Sequence, residues 1–440
     1  MKNASGSFQP SQPAIATRAI PARIIRYALS LIFLLVGPAA FSQRAYEVVH
    51  QFGVADGSTP VGNMVIDSSG NLYGVTMAGG TNSFCDYRTG CGTVFKLSKT
   101  STGAWQETVL HRFTDGSDGG QPQDGLAIDG AGNLFGTTSA GGSGAGTVFE
   151  VSPTATSEWK ETVIYAFQNQ ADGGEPYGKV TLDAAGNLYG TTPNFGAYGY
   201  GNVFRLSPAP GGGWTFTVLY SFTGPSDGGS LGGLILDAAG NLYGAGGSAV
   251  YELSPTASGE WTEIILHTFN QTDGAFPVGA LLFDAAGNLY GTTQRGGDLT
   301  GCGSWGCGVV YRLSPNSSGG WTETVLITFP PGASGNGGAA GANPVAGLIL
   351  HGALHGALHG GDLYGTTYAG GRWSHGVVFK LAPDSSGAWH ETIVHTFDAD
   401  VAHGLGPWAP VIFDASGDLL GTTAGGGNLT GSGVVFELTP

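Results

Sequence analysis

One eight-residue phrase, Asp-x-x-Gly-Asn-Leu-Tyr-Gly, recurs along this chain and leaves it little choice of fold. It stands at 67–74, 129–136 (with Phe for Tyr), 183–190, 237–244 and 284–291, and degenerate copies end at Gly365 and span 414–421. The closing glycines fall 62, 54, 54, 47, 74 and 56 residues apart. Units of that length slightly exceed the ~40–50 residues of familiar four-stranded propeller blades and far exceed β-helix coils. A chain of 440 residues is long for one ordinary core, but repeat folds escape that limit because each unit packs only on its neighbours.

Each unit holds four strand-like runs. An apolar run precedes the Asp; Leu-Tyr-Gly-Thr-Thr follows it; Gly-x-Val-Phe/Tyr-x-Leu-Ser-Pro comes third and Trp-x-Glu-Thr-Val-x-x-x-Phe fourth. Alternation and enrichment in Val, Thr, Tyr and Phe fit strands. Ala-Ala-Gly-Asn between the first two is hairpin chemistry, and Pro after the third ends it because Pro cannot donate to a ladder. There are seven first, second and third runs, but only six fourth runs led by Trp. The missing one sits at the front, where residues 46–52 match 107–113, and the chain stops on a third run. The expected fold is all-β: a seven-bladed β-propeller of four-stranded blades, its ring closed by the N-terminal strand joining the last blade. The repeat units are set at about 46–113, 114–167, 168–222, 223–269, 270–329, 330–397 and 398–440.

Ahead of them lies a different kind of segment. Arg18, Arg23 and Arg26 precede an apolar run at 28–37, followed by Pro-Ala-Ala-Phe-Ser ending at Ser42. This is the pattern of a signal peptide over 1–42. Its apolar run is too short to span about 30 Å of hydrocarbon. The expected location is therefore secreted, extracellular or periplasmic, with no membrane span after cleavage. Beyond residue 42 the chain carries 12 Lys and Arg against 32 Asp and Glu. So acidic a surface repels phosphate backbones and anionic lipids, which argues against nucleic-acid and membrane-surface partners.

Four cysteines form two local pairs, Cys85 with Cys91 and Cys302 with Cys307. In an exported chain such pairs in Gly-rich loops read as disulfides, and neither has the C-x₂-C spacing of zinc ligands.

The phrase Gly-Asn-Leu-Tyr-Gly-Thr-Thr followed by Gly-x-Val-Phe-x-Leu resembles the GloVer (Gloeobacter/Verrucomicrobia) tandem repeat of choice-of-anchor proteins, over about residues 46–440. The resemblance implies an exported bacterial surface or secreted protein of uncharacterised activity. Members often end in a sorting anchor; this chain ends in Leu-Thr-Pro, so release is the expectation. The resemblance brings no catalytic residues.

In a propeller the loops joining strands two to three and four to one share a face. Here they are the long, variable ones, and variable loops on a rigid scaffold are where binding usually resides. Trp305, Trp373, Asp86, Arg372 and His375 are the candidate ligand contacts on that face, and Trp408 is placed to face the channel. Asp118, Asp172, Asp227 and Asp273, in Asp-Gly loops, are weak candidates for Ca²⁺, but no spaced carboxylate ladder supports it and a repeated Asx-type turn explains them. No cofactor is expected. His351, His355 and His359 fall four apart, yet the Gly-Ala words between them argue against the helix that would align them on a metal. His50, His111, His267 and His395 share one strand-four position, and six tryptophans (105, 159, 214, 261, 321 and 389) open strand four, so both sets read as structural. No nucleophile elbow, zinc-binding or phosphate-loop motif occurs, and catalysis is not expected. The function expected is a monomeric binding module for an extracellular glycan or peptide. The alternatives are a structural cell-surface component and an extracellular polysaccharide lyase or hydrolase.

Overall fold

The computed structural model describes residues 45–80, 84–85, 88–156, 158–224, 226–227, 229, 232–332, 338–352, 361–428 and 430–439. The leader at 1–42 lies outside them, as do Asp86, His355 and His359. Seven antiparallel sheets follow one another around a ring; in six of them the strands run in chain order from the axis outward, and the seventh takes its outermost strand from the front of the chain. We number these blades I to VII from the N-terminal side. Blade III is representative: Thr181–Leu182, Leu188–Thr192, Asn202–Pro208 and Trp214–Ser221.

Blade VII is built from both ends of the chain. Its inner strands are Ile412–Phe413, Leu419–Thr423 and Val434–Thr439, and the N-terminal strand Ala45–Gln51 pairs antiparallel with the last of these. Ring closure by the front of the chain is thus observed. The first strands vary more than the repeat suggests: nine residues with a register shift in blade I, and two short pieces, Ala275–Pro277 and Leu282–Phe283, in blade V. Among the described residues no helix is long and apolar enough to cross a membrane.

The repeated words have a packing cause. The Gly of Leu-Tyr-Gly pairs in register with the aromatic of Val-Phe/Tyr in every blade, from Gly74 opposite Phe95 to Gly421 opposite Phe436. A Cβ on Gly190 would lie 2.4 Å from the Phe204 ring, so only glycine leaves room for that ring. The same aromatics then meet the Phe that ends strand four of the preceding blade. Phe52–Phe95, Phe113–Phe149 and Phe167–Phe204 lie 5.0–5.3 Å apart, and Phe397–Phe436 5.4 Å. An edge-to-face aromatic pair therefore fastens each blade to the next, the closing blade included. The strand-four tryptophans complete the outer packing: Trp159 meets Tyr73 at 5.8 Å and Trp389 meets Tyr290 at 6.1 Å, each across a blade boundary.

Candidate functional site

The face carrying the Asp-x-x-Gly-Asn hairpins is saturated by its own hydrogen bonds. Asp183 accepts from the Ala185 and Asn187 main-chain N–H groups at 2.9 and 2.8 Å, from the Asn187 side-chain amide at 2.7 Å and from the Tyr189 hydroxyl at 3.1 Å. Burial alone would raise its pKa, but these donors outweigh it and hold the carboxyl below the usual range. Blade VII departs, because Asp418 replaces the repeated Asn: its main-chain N–H still donates to Asp414 at 2.9 Å, but its side chain has no amide to donate. These two carboxylates and that of Glu437 come within 4.8 Å of one another. Glu437 is already engaged by the Trp105 indole N–H at 3.3 Å and by Lys99 at 3.8 Å.

On the opposite face the loops are tied down by a recurring strap. The residue before each loop proline has left-handed backbone: Thr59, Gln121, Glu175, Phe276 and Asn343 all have φ between 54 and 58°. Four of them donate their N–H to a carbonyl of the preceding blade's two-to-three loop, namely Ser432, Cys91, Ala145 and Cys307, at 2.7–2.8 Å. Non-glycine residues at positive φ cost on the order of 1–3 kcal/mol, and they cluster where a surface is held ready for use. Both disulfides, Cys85–Cys91 and Cys302–Cys307, place a half-cystine at this joint. Each cross-link holds its loop at the point where the next blade leans on it.

The Asp-Gly aspartates serve these loops. Asp118 caps Thr114, Asp227 accepts from Thr223 and Gly224, and Asp172 from Gln168 and Gln170. Asp273 accepts from the Asn270 N–H. His50, His111 and His267 reach Asp56, Asp118 and Asp273 at 3.3–3.4 Å. Their rings lie edge-on to Phe52, Phe113 and Phe269, which accounts for the strand-four histidines without a metal. His351 sits on blade VI's first strand, its ring tilted against that of Phe413 with the centres 4.1 Å apart.

Of the thirteen exposed large hydrophobic side chains among the described residues, all but Val218, Ile264 and Ile265 belong to the loops of this face. Trp305 is 56% exposed and Trp373 46%. Arg295 lies between the rings of Trp305 and Phe276, 5.2 and 5.1 Å from their centres, and Arg372 lies 5.2 Å from that of Trp373. His375 is occupied otherwise: its Nδ1 donates to the Asp398 carbonyl at 2.6 Å, and its own carbonyl accepts the Gly406 N–H. Asp86 lies outside the described residues.

At the centre of this face the channel opens into a cavity of about 420 Å³. Its wall repeats with the blades. Five residues before the hairpin Asp, or its equivalent, stand Gly62, Gly178, Gly232 and Gly279, with Ala346 and Ala409 in blades VI and VII. Neighbouring inner strands nearly touch here; a Cβ on Gly62 would lie 1.9 Å from the Gly125 nitrogen. Blade II breaks the series with Asp124, which accepts the Gly125 N–H at 2.6 Å and the Lys179 N–H of blade III at 3.0 Å. Gln123 beside it donates to Ser139 at 2.9 Å, while its Oε1 is buried without a hydrogen-bond partner. Asn63 completes a polar arc on blades I and II. Tyr177, Val278 and Val345 line the remaining wall together with Trp408, which is 43% exposed and sits 5.5 Å from Tyr368. Asn63, Gln123 and Asp124 were missed in the sequence because they precede the recognisable motif; aligning the blades backward from the Asp exposes them.

The sequence profile of the Gloeobacter/Verrucomicrobia repeat matches residues 38–248. Among solved structures, a virginiamycin B lyase from Staphylococcus aureus is similar at 16% identity and TM-score 0.52, covering 90% of this chain and 99% of that one. A streptogramin B lyase follows at 13% identity and TM-score 0.53, covering 90% and 97%. The extracellular domain of a putative one-component system from B. thetaiotaomicron is 12% identical, with TM-score 0.51, covering 90% of this chain and 41% of that one. At these identities the likeness is one of fold. No curated protein matches the chain.

Proposed function

We propose that this chain, which carries the Gloeobacter/Verrucomicrobia repeat on a seven-bladed propeller, is an extracellular binding module that recognises a glycan through its loop face. The observation that carries the reading is the aromatic display. Nearly every exposed large apolar side chain of the described residues is gathered on one face, on loops fixed by straps and disulfides. Scattered exposed hydrophobics are ordinary, but a concentration on one rim marks an interaction surface. Flat exposed rings suit the C–H faces of sugars, while the chain's overall excess of Asp and Glu disfavours anionic ligands. Both disulfides and the leader pattern at 1–42 support an exported protein.

A glycan array probed with the secreted protein, with Ca²⁺ and with EDTA, tests this. The expected result is binding to a defined sugar class, weakened at least tenfold by Trp305→Ala or Trp373→Ala. Absence of binding under both conditions overturns it.

A further inference from the structure

We infer that the channel-mouth cavity takes the terminal residue of a neutral glycan, so that the protein reads a chain end rather than a chain interior. This rests on the glycan reading of the loop face and names the place where its specificity resides.

The cavity's volume of about 420 Å³ lies within the ~300–1,000 Å³ of small-molecule sites. It sits on the ring axis, where a group pointing into the face can enter. A chain lying across the face would meet the rim loops instead. Its wall is polar on blades I and II and mostly apolar around the rest of the ring. Blades I and II offer the Asn63 amide, the Gln123 carbonyl and the Asp124 carboxylate, a mixture of donors and acceptors that hydroxyl groups can satisfy from either side. Blades III, V, VI and VII complete the wall mostly with Tyr177, Val278, Val345 and Trp408, Gln294 of blade V adding one further amide. One sugar ring presents that same division, hydroxyls at its edge and C–H groups on its face.

Two observations make this arc a built site. Glycine or alanine fills the equivalent of Asp124 in the other six blades, so the carboxylate is not demanded by the blade itself. The Gln123 Oε1 is buried without a partner, an unsatisfied acceptor that an arriving donor would complete. No Lys or Arg side chain lines the cavity among the described residues, which selects against a uronic, sulfated or phosphorylated end.

Titration calorimetry with free glucose, galactose, mannose, xylose and N-acetylglucosamine tests the inference on the intact protein, beside the glycan array. At least one of these sugars is expected to bind one to one. Gln123→Ala, Asn63→Ala and the cavity-filling Val345→Trp should each weaken that binding at least tenfold. Trp373→Ala should spare the monosaccharide while weakening array binding. If Val345→Trp, verified as folded by circular dichroism, binds array glycans as the parent does, the end-reading inference falls and the recognition reading stands. If no glycan binds at all, both fall.

Discussion

The two rims of this propeller have opposite character. On the hairpin rim one turn is written again and again, and outside blade VII its described copies spend their polar groups on themselves, as Asp183 does with four donors. On the loop rim only the backbone strap repeats, while the side chains it presents differ: Thr59, Gln121, Glu175, Phe276, Asn343. Uniformity here marks what the ring requires of each blade, and departure from it marks what one blade does for the whole molecule. The clefts between blades are intermediate. Glu107, Glu161, Glu263, Glu323 and Glu391 recur as the third residue of strand four, yet each has one buried carboxyl oxygen without a hydrogen-bond partner.

The contrast is broken most severely on the hairpin rim. Asp183→Ala removes an acceptor of four hydrogen bonds and should cost about 2 kcal/mol in urea denaturation while leaving glycan binding unchanged, since bonds to a charged group are worth about 1.5–3 kcal/mol. Next comes the paired substitution Cys302→Ser, Cys307→Ser. It should cost about 1–2 kcal/mol, because the loop it closes is short, and also weaken binding, because the strap to Asn343 is anchored at Cys307.

The clefts predict a smaller, pH-dependent effect. Burial pushes all five glutamates up to about 7, the charges of Asp56, Asp118, Asp227 and Asp273 adding to this in the first four. A carboxyl that holds its proton more tightly when folded contributes stability below its unfolded pKa and loses it as pH rises through its folded one. Stability should therefore fall between about pH 4.5 and 7. His395, lowered to about 4 by burial, and His111, also lowered by burial, work in the opposite sense below their unfolded value, but they are two groups against five. Glu391, whose shift comes from burial alone, isolates the effect. Glu391→Gln should melt roughly 1–3 °C higher than the parent at pH 8 and no higher at pH 4. Equal melting of the two at pH 8 would contradict a carboxyl whose ionisation the cleft opposes. Smallest is Trp373→Ala, which should change stability by less than about 0.5 kcal/mol, as exposed positions do, while abolishing much of the binding. A large loss of stability instead would make that ring structural and erase the distinction between the rims.

How far the sequence discloses this depends on repetition. Blade number, ring closure, the hairpin aspartates and the disulfide pairs are legible because each is a local word or a count. The strand-four tryptophans and histidines read correctly as packing for the same reason. What repetition hides is the exception outside the word. Asp124, Gln123 and Asn63 stand where the repeat looks like linker, and only the closeness of neighbouring inner strands at Gly62 and Gly125 shows that this linker is the channel wall. His375 illustrates the converse, an apparent oddity whose ring is held by the Asp398 carbonyl. The burial of the strand-four glutamates is likewise not legible locally, because it comes from strand four of the preceding blade, as where the Tyr220 hydroxyl of blade III donates to Glu263 of blade IV.

The join between the first strand and the last has a consequence for time. Ala45 pairs with Thr439, so the bond that completes the ring links residues separated by almost the whole chain. Contacts of such separation form late, since the entropy of closing a long loop is met before the contact repays it. Until then six blades stand as a curved stack with two unpaired edges, each able to recruit a strand from another copy. Maturation of this protein is therefore a race between finding its own beginning and finding a neighbour's, and dilution during refolding should favour the first outcome.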